Sequence, residues 1–583
     1  MGTASTKSRN RKKNRRSEIA PPKITPPEVS GSPPTRDLSD RTWLISSPFI
    51  MAVGAILRLY NLSLVPFHHD EGVNGNFLVR LVREGFYHYD PGNYHGPTLY
   101  YFSAIIPWIF RFLFGQSAQN NYGLNTVTVR VVPALFGLGT IWLVLLLRRR
   151  IGTVGTLCAA ALLAVSPGAV YLSRYFIHET PFVFFTLAVV VAGLKYYEVG
   201  NPVYLMLASV STALLFATKE TAVISAAVLA IALATTHFYL WLRNRFFREN
   251  QADRKRQRSE RGRKTNPQTS AMERLGGVEK LALLFLIAII IFVGVNVFFY
   301  SSFFTNYPKG VYDAVKTFEF WTKTGKEAHV HPITTYVWWL WRQEPPLIVL
   351  GAIGAALIVW KPRNAFALFS ALWAFGLLAA YSLISYKTPW LVLNFVVPLA
   401  LISGYALQVI YDWALGKIRL IIGMMLLALA LSGYKTFDLN FFNYDNDAQS
   451  YVYVYAHTRR EMLALVDEIE RVAQRTTRGT KTGITIVSSD YWPLPWYLRD
   501  YTGVGYHGRM TSSTEPVIIA SESQGAEVQT NFGDLYQQVH SGFNSAGSYP
   551  LRPGVNLLLF VQRDAVGRNL ALTAGDALAS MPD

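Results

Sequence analysis

The chain has 583 residues, of which 51% are hydrophobic and only 16% are charged, whereas a soluble globular protein carries about 25% charged residues. A mean hydropathy of +0.21 excludes a disordered chain and argues against an ordinary cytosolic enzyme. The single cysteine, Cys158, excludes an internal disulfide framework and a zinc site built on cysteines. The composition therefore predicts a polytopic α-helical membrane protein.

The net charge of +18 is concentrated in two polar segments. Residues 1–41 carry a net charge of +6, and residues 243–280 carry +7. Basic segments beside apolar spans follow the positive-inside rule and contact anionic lipid headgroups. No aromatic platform is interleaved with these basic residues. We therefore expect membrane lipids, and no nucleic acid, among the partners.

The first 41 residues are basic and then rich in proline and serine, which predicts a disordered cytoplasmic tail. A transmembrane domain is predicted over residues 42–436, because apolar runs there approach the roughly 20 residues that cross a bilayer. About eleven spans are expected, at 43–60, 127–147, 153–172, 181–197, 203–218, 221–242, 281–300, 346–360, 365–384, 389–411 and 418–434.

The stretch 98–114 (TLYYFSAIIPWIFRFLF) is ambiguous. If it crossed the membrane, the arginines at 148–150 would lie on the opposite side from the amino-terminal tail. If it lies flat in the interface, all basic clusters face the cytoplasm, as the positive-inside rule requires. Its aromatic character, with Pro107 and Arg111, also suits an interfacial helix. We therefore expect a multi-pass protein of the cytoplasmic (inner) membrane, with its amino terminus inside and its carboxyl terminus outside.

This topology leaves three substantial segments outside and the basic loop 243–280 in the cytoplasm. The outer segments are the loops 61–126 and 301–345 and the carboxyl-terminal residues 437–583. The last segment is not membrane-like. Short apolar runs at 484–489, 516–521 and 555–562 read as buried strands, and 457–475 reads as an amphipathic helix. The sequence predicts a small extracytoplasmic α/β domain there.

Two adjacent carboxylates, Asp70 and Glu71, follow the first span in the motif HHDE. A carboxylate held near the apolar boundary has its pKa raised and can act as general base toward a hydroxyl. The alternative is structural: Asp70 caps the next helix, and Glu71 lies in its first turn. The two interpretations are compatible.

Further ionisable groups are predicted at span ends on the same outer side. Such groups are costly to bury, so they pair or line a polar cavity, although snorkelling of a single cation to the interface is a simpler explanation. Three cations from separate hairpins can together neutralise a lipid phosphate or pyrophosphate, arginine in bidentate geometry and lysine as a point charge. The residues are Arg174, His178 and Glu179 in SRYFIHET, Lys219 in ATKET, and Lys387 and Trp390 in SYKTPW.

Five histidines raise the alternative of a metal site with these carboxylates. Their spacing matches no strict ligand pattern, so no cofactor is predicted with certainty and a divalent metal is retained as a possible one. No nucleotide-binding loop or dinucleotide fingerprint is present in the sequence, which argues against a nucleotide-powered pump. The histidines are His68, His69, His95, His329 and His331.

The motifs together resemble those of the GT-C glycosyltransferases. A carboxylate pair after the first span, a His-Gly-Pro element and a flat aromatic helix are similar to features of protein O-mannosyltransferases and lipid A aminoarabinose transferases. The segment SRYFIHETPFVFF at 173–185, together with ATKET and SYKTPW, has counterparts there. The resemblance covers roughly residues 43–412 and is strongest to a branch known as flippase-activity-associated proteins.

The resemblance implies roles for individual residues. Asp70 is implied as the catalytic base, with Glu71 supporting it or orienting the acceptor. The donor-phosphate contacts are implied to be Arg174, Lys219 and Lys387. The implied substrate pocket adds His69, His95, His178, Glu179 and Trp390. His178 and Glu179 replace the Leu-Asp of relatives, which implies a changed pocket.

The resulting hypothesis is an inverting, hexosyltransferase-like enzyme. It takes a sugar from a polyprenyl-phosphate carrier on the outer face of the membrane and transfers it to a lipid, glycan or protein hydroxyl. One alternative is a lipid-linked oligosaccharide flippase or its accessory, for which ionisable groups near the bilayer midplane are expected. Another is a non-catalytic scaffold that docks through the outer α/β domain.

Overall fold

The computed structural model describes residues 2, 38–92, 95–115, 123–256, 277–323, 330–362, 364–476 and 478–566. The predicted disordered tail, apart from residue 2 and residues 38–41, and most of the basic loop at 243–280 lie outside these residues. The described part consists of a large helical bundle followed by a small sheet domain, which confirms the predicted fold class.

The bundle contains seventeen described helices, and their lengths follow the apolar runs in the sequence. Asn125, Asn201 and Asn364 accept backbone N–H bonds at helix starts, as N-caps do. The helices are α1 (Asp40–Leu59), α2 (His69–Glu84), α3 (Thr98–Phe114), α4 (Thr126–Leu145), α5 (Arg148–Ile151), α6 (Thr153–Ala164), α7 (Pro167–Ser173), α8 (Glu179–Val199), α9 (Pro202–Phe216), α10 (Ala222–Arg256), α11 (Gly277–Tyr300), α12 (Lys309–Lys323), α13 (Thr335–Gln343), α14 (Pro345–Trp360), α15 (Ala365–Leu383), α16 (Leu393–Trp413) and α17 (Ile418–Phe437).

Basic residues gather at one end of the bundle, here called the basic end. Arg148 forms an ion pair with Asp40 at the start of α1, with Nη2 2.8 Å from Oδ1. Arg150 pairs with Glu198 at the end of α8 at 2.7 Å. Arg243 donates from Nη1 to the carbonyl oxygen of Pro362. The clusters that the sequence assigns to one side of the membrane therefore share one end of the molecule.

The other end, here called the site end, holds α2 and α3. Arg130, early in α4, donates to the carbonyl oxygen of Leu62, just after α1. The carboxyl end of α1 and the amino end of α4 therefore lie together. α2 and α3 connect them, and Phe110, near the end of α3, lies against Gly123, just before α4. The carboxyl end of α3 therefore also lies at the site end. The interfacial position of 98–114 stays a prediction.

The count of spans depends on how broken helices are treated. Within the described residues, eight helical stretches are long and apolar enough to cross a membrane, or ten if each of two bent pairs forms one span. The pairs are α6–α7, bent by 57°, and α13–α14, bent by 115°. The apolar helix α9 is shorter, at 15 residues. The predicted eleven spans are therefore not confirmed as a count.

The helix α16 forms the centre of the bundle and is buried along most of its length. It approaches α6 closely through two glycines. A Cβ atom added to Gly404 would lie 2.2 Å from the carbonyl oxygen of Gly155, so neither position has room for a side chain. Small residues commonly provide such close helix contacts in membranes, where association depends on packing.

The carboxyl-terminal domain is a six-stranded mixed sheet with helices on both faces. Its strand order is β2-β1-β3-β6-β4, and β5 also pairs with β6. The predicted strands at 484–489, 516–521 and 555–562 correspond to β1, β3 and β6, and the predicted helix to α18. The elements are α18 (Met462–Arg475), β1 (Ile484–Ile486), α19 (Leu494–Tyr497), β2 (Val504–Tyr506), β3 (Val517–Ser521), α20 (Gly525–Phe532), β4 (Tyr536–Gln538), β5 (Tyr549–Arg552) and β6 (Val555–Gln562).

Three parallel strands set the polarity of this sheet. Ile484 of β1 is level with Val504 of β2 and with Val517 of β3, so β1 is flanked by parallel neighbours. The apolar side chains on one face of the sheet pack against α18 and α19, and those on the other face pack against α20. The carboxyl ends of β1, β2 and β3 consequently share one edge of the sheet.

The domain is attached to the bundle through α2. A Cβ atom at Gly72 would lie 2.8 Å from Pro493, and one at Gly75 would lie 2.6 Å from the Trp496 ring. The glycines thus let the segment after β1 pack directly against the helix backbone. Phe67 stacks on Trp496 with ring centroids 4.4 Å apart, so an apolar contact completes the joint.

Candidate active site at the start of α2

The motif HHDE builds the amino end of α2 as a capping box. The His68 Nδ1 accepts the backbone N–H of Asp70 at 3.1 Å, and the Glu71 carboxylate accepts the backbone N–H of His68 at 3.0 Å. The cap is therefore His68, and the expectation that Asp70 caps this helix is wrong. Both carboxylates lie in the first turn, where the helix dipole stabilises anions.

Glu71 is fully buried and paired on both oxygens. Arg130 donates from Nε to Oε1 at 2.8 Å and from Nη2 to Oε2 at 2.5 Å. The backbone N–H of Phe176 donates to Oε1 at 2.7 Å. Arg130 also donates to carbonyl oxygens between α1 and α2. Glu71 thus joins α2, α4 and the segment before α8, and it positions its neighbour.

Asp70 contrasts with this pairing. Its side chain is half-buried, and within the described residues its carboxylate makes no hydrogen bond or ion pair. An unpaired carboxylate at a helix start can accept a proton from an approaching hydroxyl. Next to it, burial lowers the pKa of His69, although the Asp70 carboxylate raises it.

Aromatic groups from distant parts of the chain surround the His68 ring. Its centroid lies 5.2 Å from Tyr175, 6.4 Å from Trp390 and 5.0 Å from His457. His68 Nε2 donates to the carbonyl oxygen of Tyr455 at 3.0 Å, because Nδ1 is already an acceptor. The structure thereby brings the predicted pocket residue Trp390 to the start of α2.

Lys387 lies three residues before Trp390 and is almost fully buried, with 1% of its surface exposed. Its ammonium donates to the carbonyl oxygen of Ile384 at 2.5 Å and to that of His331 at 3.2 Å. A cation at the carboxyl end of α15 is stabilised by the helix dipole. Lys387 thus reaches the site end with two backbone partners.

Arg174 closes the carboxyl end of α1. It donates from Nη1 to the carbonyl oxygens of Leu57 and Tyr60, and from Nη2 to that of Asn61. A guanidinium has five N–H donors, so two have no acceptor among the described residues. Its neighbour Phe176 bonds to Glu71, which places Arg174 at the same end of the bundle as the carboxylates.

The other predicted residues form a second group, here called the Lys219 cluster and defined by His95, His178, Glu179, Lys219 and Glu220. Lys219 pairs with Glu179 at 2.5 Å, and His95 donates to Glu220 at 3.0 Å. His178 donates from Nε2 to the carbonyl oxygen of Gly96 at 3.0 Å. Every member therefore has a protein partner.

Gly96 allows this cluster to close. A Cβ atom at Gly96 would lie 2.0 Å from the carbonyl oxygen of Ala217. Its backbone N–H donates to Thr218, and a short antiparallel bridge joins His95 to Lys219. The His-Gly-Pro element therefore places an imidazole beside the ATKET turn.

Burial and charge decide the ionisation of the cluster. Burial lowers the pKa of Lys219, but Glu179 and Glu220 outweigh it and raise the pKa above its ordinary value. Burial raises the pKa of Glu220, but His95 and Lys219 bring it below its ordinary value. Burial, with His95 and Lys219 nearby, lowers the pKa of His178 well below its usual range. The imidazole of His178 is therefore neutral at pH 7.

Two hydrogen bonds and one ring contact connect the two groups. Asn74 of α2 donates to the carbonyl oxygen of Phe176 at 3.0 Å and accepts from the Tyr100 hydroxyl at 2.9 Å. The Tyr100 ring meets His178 edge-on, with centroids 5.5 Å apart. The ten predicted site residues thus lie at one end of the bundle, but in two groups.

Sequence reasoning missed two residues that organise the site. Arg130 stands in the apolar run of α4, and an ionisable residue inside a span is itself a signal of a buried partner. His457 is the first residue of the predicted helix 457–475, but α18 begins only at Met462, so His457 lies in an irregular segment before it. Burial, with His68 and Arg130 nearby, lowers the pKa of His457 well below its usual range.

The histidines of the predicted metal site lie only partly within the described residues. Among the residues that the structure describes, no group of three or more His, Cys, Asp or Glu could hold a metal ion. His329 lies outside that set, and His331 packs against Trp339. A divalent metal stays a prediction that no observation tests.

Comparisons with known proteins agree with this fold. A family described as dolichyl-phosphate-mannose-protein mannosyltransferase matches residues 103–248, about a quarter of the chain. No curated protein sequence matches the chain. ArnT from Cupriavidus metallidurans bound to undecaprenyl phosphate is similar in structure, with a TM-score of 0.59, 12% identity, and coverage of 91% of this chain and 100% of that one.

Two further solved structures are similar. ArnT from the same organism in the apo state has a TM-score of 0.51 and 13% identity, with the same coverage. AglB from Archaeoglobus fulgidus, in complex with an inhibitory peptide and a dolichol-phosphate, has a TM-score of 0.47 and 15% identity over 83% of this chain and 70% of that one. The two ArnT matches show that this chain shares the fold of ArnT.

Proposed function

We propose that the chain transfers a sugar from a polyprenyl-phosphate carrier to a hydroxyl group of a lipid, glycan or protein. The observation that carries this proposal is the unpaired carboxylate of Asp70, held in a dipole-stabilised turn by the buried Glu71–Arg130 pair. Of the neighbouring carboxylates Asp70, Glu71 and Glu179, only Asp70 lacks a partner within the described residues.

The proposed reaction is a single displacement. The Asp70 carboxylate takes the proton of the acceptor hydroxyl while the acceptor oxygen attacks the anomeric carbon. The bond from that carbon to the phosphate oxygen breaks, and the polyprenyl phosphate leaves with the bonding electrons. The anomeric centre is inverted because one substitution occurs.

The leaving phosphate needs neutralisation more than protonation. Arg174 has two N–H groups without a protein acceptor among the described residues and offers the bidentate geometry that phosphate favours. Lys387 supplies a second positive charge at the site end. Lys219 is paired with Glu179, so it contributes to phosphate binding through long-range electrostatics and not through a direct contact.

An apolar groove in the membrane bundle supports a prenyl carrier. It has a volume of about 460 Å³ and is lined by α10, α14 and α15. Along α15 it runs from Leu368 to Ala380, about 18 Å at 1.5 Å per residue. Ile231 and Val359 at its wall are mostly exposed, so the groove opens sideways to lipid.

The groove leads toward the cations. Ala380 lies four residues before Ile384, whose carbonyl oxygen accepts from the Lys387 ammonium. A prenyl chain in the groove would therefore place its phosphate near the end of α15. ArnT from Cupriavidus metallidurans shares this fold, and its crystal structure contains bound undecaprenyl phosphate.

The proposed location is the cytoplasmic membrane, with the site end and the sheet domain on the outer face. The argument is the shared position of the basic residues at the opposite end of the bundle. A chemistry that starts from a lipid-linked sugar needs no soluble nucleotide sugar on that face.

The test is a transfer assay with the purified full chain in liposomes. Mass spectrometry first identifies the lipid that copurifies, and a polyprenyl-phosphate sugar is expected. Radiolabelled carrier then measures transfer by the wild type and by Asp70→Asn. We expect the variant to fold and to lose transfer by about 10²–10⁴-fold, the usual contribution of a general base.

Two results contradict the proposal. Full transfer by Asp70→Asn removes the carboxylate from the mechanism. Movement of an intact lipid-linked sugar across the bilayer, without transfer and without sensitivity to Asp70, would instead establish the flippase alternative.

A further inference from the structure

The sheet of the carboxyl-terminal domain turns the carboxyl ends of its parallel strands toward the start of α2. After β1 the chain continues to α19 on one face, and after β3 it continues to α20 on the other. The carboxyl ends of these strands therefore form a topological switch point. In open α/β sheets, ligands bind in the crevice outside such strand ends.

Charged groups at this edge contact the first turn of α2. Arg552, at the end of β5, forms an ion pair with Asp490, which follows β1. Its other terminal nitrogen lies 3.4 Å from Nδ1 of His69. His69 is adjacent in sequence to Asp70, so the edge of the sheet and the proposed base share one surface.

Three half-exposed aromatic rings continue the same surface. Tyr491 lies with its ring centroid 5.8 Å from that of Trp492 and 5.1 Å from that of Tyr506, at the end of β2. The Trp492 ring lies 6.1 Å from the ring of His69. All three side chains are partly exposed to solvent.

We propose that Tyr491, Trp492, Asp490 and Arg552 form an acceptor subsite that binds a sugar ring. This inference rests on the proposed function and specifies its acceptor as a glycan. Aromatic faces pack against the C–H groups of a pyranose, and a carboxylate and a guanidinium make charge-assisted hydrogen bonds to its hydroxyls. The subsite presents one hydroxyl to Asp70.

The position of these groups favours a glycan over a peptide. A peptide acceptor would pair along the free edge of β2, since main-chain bonds provide the affinity in strand addition. The four residues lie at or beyond strand ends. They therefore contact a ligand through side chains and not through the main-chain hydrogen bonds of a strand pair. A few polar groups among aromatic walls are typical of small-molecule sites.

The experiment measures binding of simple glycosides to the full chain in nanodiscs of phosphatidylglycerol and phosphatidylethanolamine. The probes are methyl α-D-mannopyranoside and methyl β-D-glucopyranoside. Their binding is detected by saturation-transfer NMR in the absence of the polyprenyl donor. Maltoside detergents are avoided because their headgroups compete. We expect transfer to the ring protons of at least one glycoside, and an affinity about tenfold weaker in Trp492→Ala, as loss of a buried aromatic contact gives.

Matched variants separate recognition from folding. Arg552→Gln and Asp490→Asn are expected to weaken the same signals without removing an aromatic side chain from the joint with α2. Tyr501→Ala removes an aromatic residue from the opposite edge of the sheet, before β2, and is expected to bind as the wild type does. Asp70→Asn is also expected to bind the glycoside.

The outcomes distinguish this inference from the proposed function. Three results overturn the glycan subsite. Neither glycoside binds the wild type, all three subsite variants bind the glycosides as tightly as the wild type does, or a serine-containing peptide binds where the glycosides do not. Retained glycoside binding with retained transfer in Asp70→Asn overturns the proposed function but leaves the subsite standing.

Discussion

The start of α2 and the Lys219 cluster both gather charged side chains at the site end, yet they differ in how those charges are partnered. In the Lys219 cluster each ionisable group bonds to a neighbour or to the backbone. At the start of α2, Glu71 is fully paired and Asp70 is not. The comparison indicates that the paired charges build a scaffold, whereas the unpaired carboxylate is available for the proposed chemistry.

The largest expected effect comes from Glu71→Gln. The substitution removes the charge that partners Arg130 inside the bundle, and breaking a buried ion pair costs about 3–5 kcal/mol. We expect low yield and a large loss of thermal stability, measured by tryptophan fluorescence during heating. Asp70→Asn, one residue away, is the control and is expected to melt within a degree or two of the wild type. Equal melting of both variants would refute the contrast between the two carboxylates.

A somewhat smaller effect is expected from Lys219→Met, which leaves the Glu179 carboxylate buried without its cation. The cost should be about 3 kcal/mol, because Glu179 can relieve part of it by binding a proton. The double variant Lys219→Met/Glu179→Leu should recover most of the stability, since an apolar pair can replace a buried ion pair. If the double variant is stable but inactive, the cluster acts on the substrate as well as on the fold.

Gly96→Ala probes the close approach that joins the cluster to α3. The new methyl group would overlap the carbonyl oxygen of Ala217, and overpacking of this kind costs about 1–3 kcal/mol. The expected result is a lower melting temperature with the same carrier binding. Gly85→Ala is the comparison, because that position is open although its backbone favours glycine.

The effect that is smallest near neutral pH is a pH dependence of stability, which grows only as the pH falls. The pKa values of His178 and His457 are both lowered by burial. At acidic pH, these imidazoles are therefore protonated in the unfolded chain but still neutral in the folded chain. The free energy of unfolding is therefore not reduced by these groups above about pH 6.5. Below the pKa of histidine in the unfolded chain it falls, by up to about 1.4 kcal/mol per pH unit for each imidazole. Melting curves between pH 7.5 and 5 test this, and His457→Gln should flatten the dependence. An unchanged slope in that variant would assign the effect to other groups.

Local sequence signals predicted a large part of the fold. Apolar runs marked most of the long helices of the bundle, whereas the flat position of α3 stays a prediction. Short apolar runs marked β1, β3 and β6. The strands β2, β4 and β5 were missed because their sequences, VGY, YQQ and YPLR, do not form apolar runs as those of β1, β3 and β6 do.

The candidate site was predictable only in part. The motifs identified residues that the fold brings to one end, including Trp390 from a segment more than 300 positions after His68. The partners of those residues were not predictable, because Glu71–Arg130 and His69–Arg552 are contacts between distant segments. A single sequence records no pairing, so the division into a paired cluster and a free carboxylate required coordinates.

The glycine face of α2 has a consequence for protein engineering. Gly72 and Gly75 let the segment around Trp492 and Trp496 pack directly against the helix backbone. The helix α2 and the sheet domain are therefore in direct contact, although several hundred residues separate them in the sequence. A chimera that exchanges the carboxyl-terminal domain with that of a relative must therefore exchange α2 as well. Otherwise the graft would tilt the turn that carries Asp70.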